Sequence, residues 1–209
     1  LHLLAAGKGT EATEMVDPGV RNDQRVFLTD EAMASATSLL VVEDVVADKS
    51  GEDSNIAEVT ATMTVDGQRF THTFTVTADE AMMGLLNNWT ITDSLAVPVS
   101  VNGERIDQFS AGSVSASVGR SGVASRSSSF FFYPGVYTFT PVAPNEYVEA
   151  YPATVSVRDA VRSTSIGSGN DDVTFVGTFT DKFKDEVNEM IRERINSCVP
   201  GQWSSSSRC

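Results

Sequence analysis

Residues Ser127–Pro141 read SSSFFFYPGVYTFTP: two aromatic and β-branched runs, Phe130–Tyr133 and Val136–Thr140, flank Pro134-Gly135. Proline presets φ for the first corner of a tight turn, and glycine accepts the positive φ that a type II turn needs next. The stretch is expected to be a β-ribbon. Tyr133, Val136 and the alternating Tyr137 and Phe139 supply the bulk of a small β-domain. It is a scaffold signal with no chemistry of its own. Its aromatics Phe132, Tyr133 and Tyr137 are candidates for an interaction surface, by strand addition or stacking.

Beyond the ribbon, Thr154–Val157 has the pattern of a short strand, and Arg158–Asn170 is a polar linker. Val173–Phe179 is a further strand, and a helix starts at Thr180 or Asp181 and runs to about Ser197. Phe183, Val187, Met190, Ile191 and Ile195 share one face of that helix at 3.6-residue spacing. This apolar stripe must pack on the preceding unit, on a continuation of the chain, or on a partner. Cys198 and Cys209 are the only cysteines. In an exported protein they read as a disulfide, with Trp203 of the closed loop set against Ile191 and Ile195; the other reading is two idle thiols. A redox pair would want the CxxC spacing, which is absent.

Before the ribbon, Val97, Val99 and Val101 alternate up to Asn102-Gly103, a favoured hairpin turn, with Glu104–Ile106 returning. Gly112–Ser129 is a weak strand or a flap. The clearest hairpin pairs Ile56–Val65 with Arg69–Thr77 across Asp66-Gly67. In its second strand Phe70, His72, Phe74 and Val76 share a face, opposite Thr71, Thr73 and Thr75. His72 among aromatics is the candidate for a ligand pocket with Phe70 and Phe74, and its plainer role is a histidine at the core edge bonded to a carbonyl. Asn87–Thr92 reads as a strand and contains the sequon Asn88-Trp89-Thr90, meaningful only in a eukaryotic secretory protein. The loop Asp48–Asn55 has spaced acids but lacks the glycine and terminal glutamate of a helix-loop-helix calcium site. Leu39–Val46 is a mostly apolar run entering a strand, and Thr29-Asp30-Glu31 caps a short helix. LHLLAAGKG reads as the last turns of a helix, with Gly7 and Gly9 ending it, so the chain is expected to be a mature or truncated fragment.

The formal net charge of −13 over 209 residues argues against nucleic acid and anionic lipid, both of which need a basic footprint. No apolar run approaches a membrane span, and no signal peptide is visible at Leu1. Two histidines cannot build a metal site alone, and no Ser-His-Asp set, phosphate loop or evident carboxylate pair is present. No cofactor, no metal and no catalytic residue is expected.

Three stretches resemble extracytoplasmic proteins of high-GC Gram-positive bacteria held by one N-terminal membrane helix or a lipid. LHLLAAGKGTEATEMVDP with FLTDEAMASA and the strands up to NNWTI is similar to their membrane-proximal, nuclear transport factor 2-like cone. VPVSVNGERI, FFFYPGVYTFTP and YVEAYPATVSV resemble the small β-sandwich module of the teicoplanin-resistance-associated membrane protein family. VTFVGTFTDKFKDEVNEMIRERINSC resembles the opening of a further cone-like domain, whose helix ends at a paired cysteine. The expected fold class is α+β: a cone-like domain over 1–93, an antiparallel β-sandwich over 94–166, and linker, strand, helix and disulfide loop over 167–209. The resemblance implies a non-catalytic envelope protein, extracytoplasmic, reaching the membrane only through an anchor upstream of residue 1. It would present a surface to cell-wall polymer or an envelope protein. The competing readings are a small-molecule binder or enzyme built around His72, and a structural stalk or filament subunit.

Overall fold

The structure is a computed structural model and describes residues 1–48, 55–78, 89–120, 128–158 and 172–198. Its first elements are α1 (His2–Ala5), α2 (Gly9–Met15), α3 (Asp30–Met33), β1 (Ser38–Leu39), β2 (Val41–Asp48), β3 (Ile56–Val65), β4 (Gln68–Ala78) and β5 (Trp89–Ile91). There follow β6 (Val97–Glu104), β7 (Gln108–Ala111), β8 (Val114–Ser117), β9 (Gly119–Arg120), β10 (Ser128–Phe132), β11 (Gly135–Val142), β12 (Val148–Glu149) and β13 (Ala153–Val157). The last are β14 (Asp172–Val176), β15 (Thr178–Phe179) and α4 (Asp181–Ser197). The molecule is thus mixed helix and strand, mostly strands in several largely antiparallel sheets, with a C-terminal helix.

β2, β3, β4 and β5 form a meander in that order. Asp66 and Gly67 turn it with φ of 50° and 71°, the two positive values a type I′ turn demands. Val65 pairs with Gln68, so the turn is two residues long. That register puts Ala61, Met63, Phe74 and Val76 on one face, where they are buried with Leu4, Leu28 and Met33 of the N-terminal segment. Thr29 caps α3, its Oγ1 accepting the Ala32 N–H at 3.3 Å. Gly9, expected to end a helix, instead begins α2. A Cβ there would stand 2.9 Å from the Thr29 carbonyl oxygen, so glycine serves the close approach of α2 to α3.

Two further sheets share one core. One is ordered β1-β11-β7-β8, with β13 also on β11; the other is β10-β6-β14, with β9 also on β6. Val99, Val101, Phe109, Phe132, Tyr137, Phe139, Val157 and Phe175 meet between them. The Phe132 and Phe139 rings stack at 4.9 Å.

The other two dipeptides expected to turn hairpins do something else. Pro134-Gly135 does not fold Phe130–Tyr133 back on Val136–Thr140: β10 pairs with β6, and β11 pairs with β7 and β13. The chain crosses there from one sheet to the other, which lets both aromatic runs point into the same core. Asn102-Gly103 lies inside β6, and neither Gly103 nor Gly135 has a positive φ. A Cβ on Gly103 would fall 2.0 Å from the Ile106 carbonyl oxygen; the chain turns instead at Arg105, with φ of 61°. β6 then pairs in parallel with β14, Val101 opposite Val173.

The expected boundaries at 93 and 166 do not separate cores. Phe27 and Ala32 belong to the cluster of residues 97–175, while Leu95, Tyr133 and Val136 belong to that of the meander. Ser38 pairs with Val136, and β14, expected beyond the second unit, completes its sheet.

Candidate functional site

Three places bear on function: a groove at His72, the free face of α4, and the outer edge of β2.

The alternation of β4 puts Phe70, His72 and Phe74 on one face as expected, with Phe74 buried and the other two half-buried. The His72 ring lies 4.4 Å from that of Phe74 at 58°. It borders an open groove of about 520 Å³ with Asp17, Thr73, Asp93, Ser94 and Phe131. Both carboxylates in that groove are engaged by backbone. Asp93 Oδ2 accepts the Thr75 N–H at 2.7 Å, and Asp17 Oδ1 accepts the Gly19 N–H at 2.8 Å. The Gly19 N–H, with smaller help from the Arg25 guanidinium, holds the Asp17 carboxyl below the usual carboxylate range. The groove therefore presents one imidazole, while its acids fasten backbone and its Thr73, Thr92 and Ser94 hydroxyls bond Thr60, the Thr75 carbonyl and the Ala96 N–H. Among the described residues no cluster of three His, Cys, Asp or Glu could hold a metal ion.

The aromatics expected at a surface are inside. Phe132, Tyr133 and Tyr137 are at most 1% exposed. Tyr137 donates its hydroxyl to the Tyr133 carbonyl at 2.9 Å, and the Tyr133 hydroxyl meets Thr13 Oγ1 at 2.9 Å. Burial pushes both phenols up. These hydroxyl partners allow rings with a polar tip to sit in the core, and they remove the three residues as a contact surface.

α4 is the expected amphipathic helix. Thr180 Oγ1 accepts the Phe183 N–H at 3.4 Å and donates to the Glu146 carbonyl at 3.1 Å. Phe183 stacks on Phe179 at 4.5 Å, and the Tyr147 hydroxyl donates to Glu186 at 2.8 Å. These contacts hold only its first turns. No helix residue is buried, and Met190, Ile191 and Ile195 are 50–61% exposed. Cys198 at its end is not a free thiol. Cys209 and Trp203 lie outside the described residues, as do the acidic loop at 49–54 and Asn88 of the sequon.

The sequence reading missed the third place. β2 ends the meander, with no described strand on its outer side, and Val41, Val45 and Val46 are 50–58% exposed. Its signal was in the sequence: Glu43 and Asp44 interrupt the apolar run and Asp48 follows it, as charges do on edge strands. No described helix is long and apolar enough to cross a membrane.

The chain matches no protein-family model, no curated protein and no solved structure.

Proposed function

We propose that the chain is a non-catalytic cell-envelope protein that presents an assembly surface to a partner protein outside the membrane. One observation carries this: α4 is anchored at its base and holds Met190, Ile191 and Ile195 out to solvent. An apolar stripe on a helix suits a protein groove, read by side chains at helical spacing, better than a hydrophilic wall polymer. The finer fold reading belongs to the same proposal. The helices on one face of the meander support a cone-like first unit, and the two sheets around Phe109 support a sandwich. An extracytoplasmic location goes with a bond between Cys198 and Cys209, lasting only where thiols are not kept reduced.

The test is capture from a cell-envelope fraction with immobilised chain, comparing wild type with the Ile191→Glu, Ile195→Glu double variant. Both positions are exposed, so the thermal melt should not move. The expected outcome is a protein captured by wild type and lost with the variant; equal capture by both would defeat the reading.

The groove at His72 favours a second reading, a small-molecule site, because it is open and has an imidazole and the Phe131 ring on its border. A ligand there would raise the melting temperature of wild type and leave His72→Ala unmoved. Screening in which no compound separates the two proteins would remove this reading.

A further inference from the structure

The β2 edge differs from the rest of the surface in having two unlike sides. On the side toward α1, a mostly apolar crevice of about 530 Å³ runs along the strand, lined by Leu1, Ala5, Leu40, Val41, Val42 and Val45 together with His2. Val42 and Val45 stand opposite the buried Met63 and Ala61, which fixes this as the core side. On the other side Asp44, Val46 and Asp48 stand opposite Thr62, Thr60 and Glu58, so that face carries three carboxylates about one exposed valine. Glu43 is set apart by its ion pair with Arg69.

A strand edge offers backbone donors and acceptors in a row. An added strand sends alternate side chains to opposite faces, so the faces set its sequence. Here they call for apolar residues toward the crevice and basic residues toward Asp44, Asp48 and Glu58.

We propose that β2 is a docking edge for an extended segment of another protein in which apolar and basic residues alternate. A second copy of this chain is the wrong occupant, since antiparallel pairing of two β2 strands brings Asp44 and Asp48 of each toward the carboxylates of the other. Like charges opposite one another in a ladder are destabilising, and the net charge of −13 adds to the repulsion. The register shift between Val42 and Asp44, and the Asp44 carboxylate accepting the Val45 N–H at 2.9 Å, are blunting devices of the kind edge strands use. They are selective ones. An acidic or self-like strand meets repulsion, whereas a lysine or arginine on the incoming strand draws Asp44 off the Val45 N–H and frees that donor. The inference is independent of α4, which stands on other residues.

The probe is a blocked nine-residue peptide alternating valine and lysine, added to the whole chain. It is compared with its valine–glutamate counterpart and with a valine–lysine peptide whose central valine is proline. Binding is followed by fluorescence anisotropy, and amide exchange is read residue by residue over 41–48. The expected result is slowed exchange on β2 and binding by the valine–lysine peptide at least tenfold tighter than by either control. The Asp44→Lys, Asp48→Lys double variant, altered only at exposed positions, should reverse the preference toward the valine–glutamate peptide. Exchange on β2 left unchanged, a proline peptide that binds as well, or a variant that keeps the original preference would each overturn the proposal. So would self-association of the chain through β2 in the absence of peptide.

Discussion

Phe27 is the side chain whose removal most directly tests how the molecule is joined. It comes from the loop before α3, yet its ring stacks on Phe132 at 4.6 Å and packs against Phe109 and Phe130 at 5.2 and 5.5 Å. It is fully buried. Phe27→Ala removes a ring from a site walled by three others belonging to β7 and β10, where little can collapse to refill it. Core Phe→Ala substitutions cost about 3–5 kcal/mol. For a chain of this length each kcal/mol moves the melting temperature by roughly 2–4 °C, so a fall of about 6–20 °C is expected. The informative readout is the shape of the transition. Urea unfolding should be followed by far-ultraviolet circular dichroism for the sheets and by near-ultraviolet signal from the buried tyrosines. One displaced transition, coincident by both probes, is the expected result, because the residue ties the N-terminal segment to the core of residues 97–175. Two transitions, with only the first displaced, would mean that Phe27 stabilises a separate N-terminal unit, and the reasoning would be refuted.

Gly103→Ala should destabilise by at least about 1–3 kcal/mol in urea, the usual cost of overpacking, since its Cβ would overlap the Ile106 carbonyl oxygen; an unchanged midpoint would contradict the straight strand. Stability should also fall above pH 10. Folding raises the Tyr133 and Tyr137 phenols above the unfolded value near 10, so their contribution is complete below that pH and lost as pH rises beyond it. Tyr137→Phe should flatten this alkaline loss, and a profile as steep as wild type would count against it. Thr180→Ala should cost about 1 kcal/mol through the cap of α4 and lower its helical signal, and an unchanged helix would show that the cap is idle. Mass spectrometry without reductant should find the chain two protons lighter, with Cys198 linked to Cys209; two cysteines open to alkylation would defeat both the bond and the exported reading.

What could be read in advance was local. Asp66-Gly67 between two alternating runs, Thr29 before Asp30 and Glu31, and the stripe from Phe183 to Ile195 each specify an element from neighbours a few residues away. Asn102-Gly103 and Pro134-Gly135 carry the same kind of local signal, and distant partners overrule it. Gly103 is small because Ile106 and Val118 crowd it, and Gly135 because Ser38 and Tyr137 do. The aromatics at 132, 133 and 137 looked available because nothing nearby in sequence names Phe27, Thr13 or Phe139 as their cover. The His72 face was legible from alternation, but what borders it comes from residues 17, 93 and 131. The edge at β2 was legible in its charges, yet only the sheet order shows which side is open.

The parallel pairing of β6 with β14 has a consequence for how the chain acquires this shape. Val101 finds Val173, and Ser38 finds Val136, only after long intervening stretches are made. Pairings so distant along the chain close loops before they return any contact energy, which slows folding. During synthesis the meander has all its strands early, while one edge of β6 waits unpaired until residues 172–176 emerge. In that interval the half-built sheet is a partner in search of a strand, and a chain halted before β14 should aggregate where the finished one does not.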